Sequence, residues 1–390
     1  MTLSLMRGSP PRVIRGCLAA ALLGIATFDA VASPYTPAHE DEVLASLPAG
    51  VVHVTLPARQ QAAARLDVAL PLAQYYIEQG RKSGDLRFLG YAEAMLAPWR
   101  DRTPEVPGVL VLQATILQSR HDFEAALNNL ARALRMRPDD PQGWLLRATV
   151  LRVLGRYPEA AACCARVTPA DPAVASICLQ STRSLNGQLQ LAYAALRALT
   201  PDALSTEARA WRASELGEMA VRLGEDAAAE PWFAEALRLA PGDAYTRAAY
   251  ADLLLSERRP AETLALLKDY ESMEPLLLRI AIAQQQLGNS NAARSRAQLA
   301  EAFSLEQQRG ESVHRREQAR FLLEVVHDPA AALEAAAANW QVQREPADVL
   351  ILLRTADAAH RPAAAAPALQ FVRRESMEDA RFAAFLRGAP

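Results

Sequence analysis

Residues 141–172 read PQGWLLRATVLRVLGRYPEAAACCARVTPADP, and the spacing of apolar and small residues in this stretch decides the fold. Trp144, Ala148 and Leu151 recur three and four residues apart, as do Tyr157, Ala160, Cys164 and Val167. That period puts each set on one face of an α-helix. Gly155 falls between the two sets, where a helix end takes the left-handed backbone conformation that Gly adopts at least cost. Pro172 is expected to close the unit, because Pro cannot continue a helix. Small residues at Ala148 and Ala160 let two antiparallel helices approach closely, and Tyr157 is large enough to fill the space beneath a following pair.

Outward from this stretch the pattern repeats, with thirty-four residues separating Pro138 from Pro172. Unit 107–140 carries Leu110, Ala114, Leu117, Phe123, Ala126, Leu130, Ala133 and Pro138. Unit 210–243 carries Gly217, Gly224, Ala229, Phe233, Ala236 and Pro241, with Trp211 two places early. Weaker copies start at Ala173 (Gly187, Ala192, Leu196), Ala244 (Ala251, Leu254, Leu267) and Glu274 (Ala281, Gly288, Ala293). Two degenerate copies, 313–346 and 347–380, keep Ala332, Ala336 and Ala366, and a first unit at 73–106 is inferred from Gly80, Ala92, Leu96 and Pro104. Loops near 200–208 and 304–312 are expected to absorb slips of register.

A Trp, a small residue, a Gly turn, a buried Ala, an aromatic, another Ala and a closing Pro at this period resemble the tetratricopeptide repeat. The resemblance covers most of 73–380 and is strongest in units 107–140, 141–172 and 210–243. It implies an all-α fold, an α-solenoid in which stacked helix-turn-helix units form a right-handed superhelix. No single pair hides its own apolar face, so the units must lean on one another and share one continuous core. Pentatricopeptide arrays have a near-identical unit but read RNA and need a basic concave face. Here 42 basic residues stand against 44 acidic ones, a net charge of -2, which argues against nucleic acid as a partner. HEAT-type repeats run longer, about 40–47 residues, and do not predict the Gly turn with a closing Pro.

Composition agrees with this reading. Hydrophobic residues make up 51% and charged residues 22%, enough apolar surface to exclude a disordered chain. Ala is abundant, and nearly all the positive charge is Arg, only Lys82 and Lys268 being Lys; the balance resembles that of a GC-rich bacterium. Residues 1–32 read as a secretory signal. Arg7, Arg12 and Arg15 precede the apolar run 17–28, and Ala30-Val31-Ala32 supplies the small residues that a signal peptidase accepts. The run is short of the roughly 20 residues that span a bilayer, and the alternative is an N-terminal membrane anchor. Cleavage predicts a mildly acidic, periplasmic or secreted product with no transmembrane segment. Residues 33–72 form a Pro-containing segment with one short helix expected at 41–47, and 381–390 a C-terminal tail.

Sites of covalent chemistry are not evident. The histidines are His39, His53, His121, His314, His327 and His360; no two stand at the i, i+4 spacing of a helical metal pair, and each reads as a surface or loop residue. No metal site, cofactor or catalytic residue is predicted. Beyond the signal, Cys163, Cys164 and Cys178 are read as small buried apolar residues, with a Cys178 bridge to Cys164 or Cys163 as the alternative.

The resemblance implies that the first helices of successive units line a concave groove for a protein or peptide. Its residues would include Gln118, Arg152, Ser181, Glu218, Tyr245, Asp252 and Gln285. Family members that grip a terminal carboxylate use Lys, Asn and Arg on three consecutive units. Thr115 or Thr149 stands where the Asn is expected and those units lack Lys, so a basic or amphipathic segment is the better match. The expected function is an exported scaffold for protein–protein interaction in cell-envelope assembly or export. Two other readings are an accessory or regulatory subunit docking onto an envelope enzyme, and an envelope hydrolase using an acidic groove.

Overall fold

The computed structural model describes residues 56–201, 204–308 and 314–386. The expected signal at 1–32, its anchor alternative and the short helix expected at 41–47 lie outside them. Among the described residues there is no strand, and no helix is long and apolar enough to cross a membrane.

After α1 (Leu56–Ala63) come nine consecutive pairs among the described residues. They are α2 (Leu66–Ser83) with α3 (Arg87–Leu96), α4 (Pro107–Ser119) with α5 (Phe123–Met136), and α6 (Pro141–Val153) with α7 (Tyr157–Val167). Next are α8 (Pro172–Arg183) with α9 (Leu189–Ala198), α10 (Thr206–Leu223) with α11 (Asp226–Leu239), and α12 (Ala244–Ser256) with α13 (Pro260–Leu266). The last three are α14 (Glu274–Gln286) with α15 (Ala292–Gln308), α16 (Arg315–Phe321) with α17 (Pro329–Trp340), and α18 (Pro346–Ala358) with α19 (Ala366–Glu375). A short α20 (Ala383–Leu386) follows. Each first helix packs on its own second helix and on the first helix of the next pair. The first helices therefore form one continuous inner wall, and the chain is an all-α solenoid.

The small residues sit where backbones meet: Ala126, Ala148, Ala160 and Ala229 are all buried. Phe233 lies against Gly217 so closely that a Cβ there would be 2.6 Å from its ring. Aspartates at the first-helix or second-helix starts cap exposed amides. Asp140 accepts from Gln142 N at 3.1 Å, Asp171 from Val174 N at 2.9 Å and Asp328 from Ala331 N at 3.0 Å. Such a cap contributes about 1 kcal/mol.

Every one of the nine turns between paired helices holds a residue in the left-handed region. It is Gly at 84, 155, 187, 224 and 288, but His121, Arg258, His327 and His360 in the other four. The Gly pattern thus marks only part of the array. The turn geometry persists without Gly because packing of the two helices over-determines it, at a cost of order 1–3 kcal/mol per strained residue.

Several expectations need correcting. Helix α2 begins at Leu66 and α1 precedes it, so the first pair starts before residue 73 and the later part of the 33–72 segment carries α1 and the start of α2. Pro138 and Pro241 do follow second helices, and their carbonyls accept from Trp144 Nε1 (2.9 Å) and Arg247 Nη2 (2.6 Å). Pro172 does not close a unit: it is the first residue of α8, behind the Asp171 cap. Helix α7 spans 11 residues where α5 spans 14, so the third pair is nearly a turn shorter and the counting slips. The loop expected at 304–312 is helical up to Gln308. Finally, Cys164 and Cys178 are joined as a disulfide with Cα atoms 5.5 Å apart, and among the described residues only Cys163 is a free, buried thiol. The helical turn of about 100° per residue points Cys164 at α8 and Cys163 toward Arg147, with burial pushing the Cys163 thiol up.

The stack curves back on itself. Arg344 N donates to Val153 O at 2.8 Å, which ties the approach to the ninth pair to the third. Past α18 the chain runs across three successive turns: Phe371 lies on Gly155, Ser376 on Gly187 and Ala380 on Gly224. Tyr157, expected to fill the space under the next unit, is buried in one apolar cluster with Trp340 and Phe371 from the far end.

Candidate functional site

The inner wall is the candidate site, and its curvature is tight enough that side chains two pairs apart meet. Arg152, in the last turn of α6, reaches past α8 to Glu215 on α10 at 3.2 Å. Trp211 Nε1 donates to the same carboxylate at 2.9 Å. Further along, Asp252 of α12 accepts from Arg279 of α14 (2.7 Å) and from Arg320 of α16 (2.8 Å). Arg320 and Arg354 share Glu324 at 3.2 and 2.9 Å, and Arg316 holds Glu345 at 2.9 Å and Asp348 at 3.3 Å.

These contacts set the charge states. Burial would raise the Asp252 carboxyl, but Arg279 and Arg320 outweigh it and hold the group well below the usual carboxylate range. Glu218 behaves in the opposite way. Burial, then the neighbouring charge of Glu215, push it up from 4.5 to about 7, with Glu345 adding to the repulsion. Tyr245 donates its hydroxyl to Glu218 Oε2 at 3.2 Å, and its phenol is held well above its ordinary value, first by the Glu218 charge and then by burial. Even so, 56% of Tyr245 is open to solvent. Its ring stands free in the groove while carboxylates crowd its hydroxyl. On the turn after α4, His121 is pushed down to about 4, by burial first and by Arg316 second.

Of the residues expected to line the groove, Glu218 and Tyr245 are brought together. Arg152 and Asp252 lie on the wall but are engaged with Glu215 and with the two arginines. Gln285 hydrogen-bonds the His327 ring on the turn after α16. Gln118 is partly buried in the last turn of α4. Ser181 is not on the groove surface: it is 1% exposed and its Oγ has no hydrogen-bond partner among the described residues. The wall is a mosaic of paired charges rather than an acidic trough. Sequence reading missed Glu215, Arg279, Arg316, Arg320 and Glu345. Three of these, Arg316, Arg320 and Glu345, fall in a degenerate copy where the register offered no anchor.

Residues 111–175 match the tetratricopeptide repeat family. Repeats of this kind generally mediate protein–protein interactions and are generally non-catalytic scaffolds. No curated protein sequence matches the chain. Among solved structures, that of Pseudomonas aeruginosa pilF is 17% identical over 64% of this chain and 96% of its own, with a TM-score of 0.32. The human IFIT1 dimer with m7Gppp-AAAA is 12% identical over 82% of this chain and 84% of its own, with a TM-score of 0.45. A tetratricopeptide repeat protein from Parabacteroides merdae is 13% identical over 74% of this chain and 98% of its own, with a TM-score of 0.31.

Proposed function

We propose that this chain is an exported, non-catalytic scaffold that binds a basic or amphipathic segment of a partner protein along its inner wall. The observation that carries the reading is the open Tyr245 ring beside Glu218, on a wall whose other charges largely neutralise one another. Glu218 sits among carboxylates that repel it. A Lys or Arg side chain from the partner would relieve that repulsion and lie against the ring face, a contact favourable by about 0.5–2 kcal/mol. Asp252, held ionised by two arginines, suits an ion-pair brace rather than the general acid that a hydrolase would require.

Export is supported by the pattern of residues 1–32 and by the Cys164–Cys178 disulfide, since such bonds persist in oxidising compartments and are rare in the cytosol. Envelope assembly or export of a neighbouring complex is the setting that fits a periplasmic scaffold.

A photo-crosslinking residue placed at Tyr245 in producing cells tests the proposal, with Leu191, 70% exposed on α9, as the control position. The expected result is a discrete adduct from 245 and not from 191, in the periplasmic fraction, lost on Glu218→Lys. Equal adducts from both positions, or a chain retained in the cytosol with Cys164 and Cys178 reduced, would overturn it.

A further inference from the structure

At the join between the seventh and eighth pairs, two carboxylates and an imidazole converge from three elements. Glu274 is the first residue of α14, Glu306 lies in the last turns of α15 and His314 immediately precedes α16. One donor atom from each lies within 4.8 Å of the other two. His314 Nδ1 is 2.6 Å from Glu306 Oε1 and 3.3 Å from Glu274 Oε1. The side chains are 20%, 10% and 19% exposed for His314, Glu306 and Glu274, so the cluster is largely shielded from water.

Against burial, Glu274 and Glu306 hold the His314 imidazole toward its charged form, yet among the described residues one oxygen of the cluster is left without a hydrogen bond. An imidazole nitrogen carries at most one proton, and the short contact directs the Nδ1 proton to Glu306. The Glu274 Oε1 atom is buried and, among the described residues, has no hydrogen-bond partner, an arrangement that costs about 1–3 kcal/mol. A cation shared by all three donors removes that cost. We propose that Glu274, Glu306 and His314 form a site for a first-row divalent transition cation of the Zn2+ type.

The donor chemistry selects the ion class. One imidazole nitrogen with two carboxylate oxygens suits Zn2+, Co2+ or Mn2+, whereas Ca2+ takes 6–8 oxygen ligands and Mg2+ keeps most of its water. Metal–ligand bonds of about 2.0–2.2 Å at tetrahedral angles put neighbouring donors roughly 3.3–3.6 Å apart. The 3.3 Å separation already matches, and the 2.6 Å one has to open by roughly 0.7–1 Å, within the reach of a glutamate rotamer. The two carboxylates cancel the ion's charge, and the residual exposure of Glu274 and His314 leaves a side open for the water that completes a three-donor site. A bound ion would tie α14 and α15 to α16 and so stiffen the array where its register is most degenerate.

The test is titration of the tag-free, chelator-treated full chain with Zn2+ by calorimetry and with Co2+ by visible absorption. One ion per chain is expected, with an upward shift in melting temperature. Glu306→Gln and His314→Ala should each weaken binding by at least about tenfold and abolish the thermal shift. His360→Ala, at an exposed turn, should do neither, and circular dichroism should show all three variants folded. No saturable uptake of Zn2+, uptake unchanged by Glu306→Gln and His314→Ala, or equal affinity for Ca2+ would each overturn the assignment.

Discussion

Closure of the stack onto its own turns can be tested at a single atom. Gly155 has φ +73, and a Cβ built there would lie 2.6 and 2.7 Å from the Phe371 ring carbons Cζ and Cε2. Carbon atoms prefer about 3.5–4.0 Å, so Gly155→Ala must push the ring out of its place between Tyr157 and Trp340. Two costs add. The left-handed backbone costs an L-residue about 1–2 kcal/mol, and the forced shift of a packed ring costs about 1–3 kcal/mol. Stiffening of the unfolded chain returns about 0.4–1 kcal/mol, leaving a loss of about 1–4.5 kcal/mol. Gly288 is the control, because it has φ +62 and, among the described residues, nothing within 4 Å of the built Cβ; Gly288→Ala should lose only about 1 kcal/mol. Urea denaturation followed by circular dichroism gives the two losses. Hydrogen exchange localises them, which matters because repeat arrays need not unfold in one step. The Gly155→Ala loss should appear as faster exchange in 346–375, and Phe371→Leu should recover part of it in a double-mutant cycle. Equal losses for the two Gly variants, with unchanged exchange in 346–375, would refute the packing of the ninth pair on the third.

Other consequences follow from charge, packing and the disulfide. Glu218 has a folded-state pKa raised from 4.5 to about 7, so its contribution to stability is full below about pH 4.5 and is lost as pH rises through about 7. Glu218→Gln, which cannot ionise, should escape that loss and be more stable than the parent above about pH 7, as urea midpoints across the range would show; parallel pH profiles would contradict it. Binding of a basic peptide at Tyr245 should strengthen as pH rises through the same window, measurable by fluorescence anisotropy. Ala160 is fully buried between helices, and Ala160→Trp should lower stability by at least about 1–3 kcal/mol through overpacking, whereas Leu191→Trp on the open face of α9 should leave the melting temperature nearly unchanged. Cys178→Ala opens a loop between residues 14 apart in sequence and should cost about 3 kcal/mol; the parent should show the same loss on reduction, and the variant no further one.

How far the sequence could be read depended on the range of each interaction. Helix pairing was legible because it rests on neighbours three and four residues apart, as at Trp144–Ala148 and Tyr157–Ala160. Register failed where a pair changed length without changing composition, so Pro172 passed for a closing residue when it opens α8. Turns at His121, Arg258, His327 and His360 escaped notice because their strain is borne by packing and leaves no Gly behind. The pairing of Cys164 rather than Cys163 turned on which of two adjacent positions faces α8, a rotation that residue type does not encode.

By itself, the sequence determined that helices pair, that pairs stack, and which small residues lie between them. Only the tertiary structure decided that Arg152 meets Glu215, that Arg320 meets Asp252, that Phe371 returns to Gly155 and that Glu274, Glu306 and His314 converge. Each pair is rotated slightly against the one before, and these small rotations add along the stack. Which distant side chains finally meet depends on their sum over many pairs, a quantity that no local pattern carries.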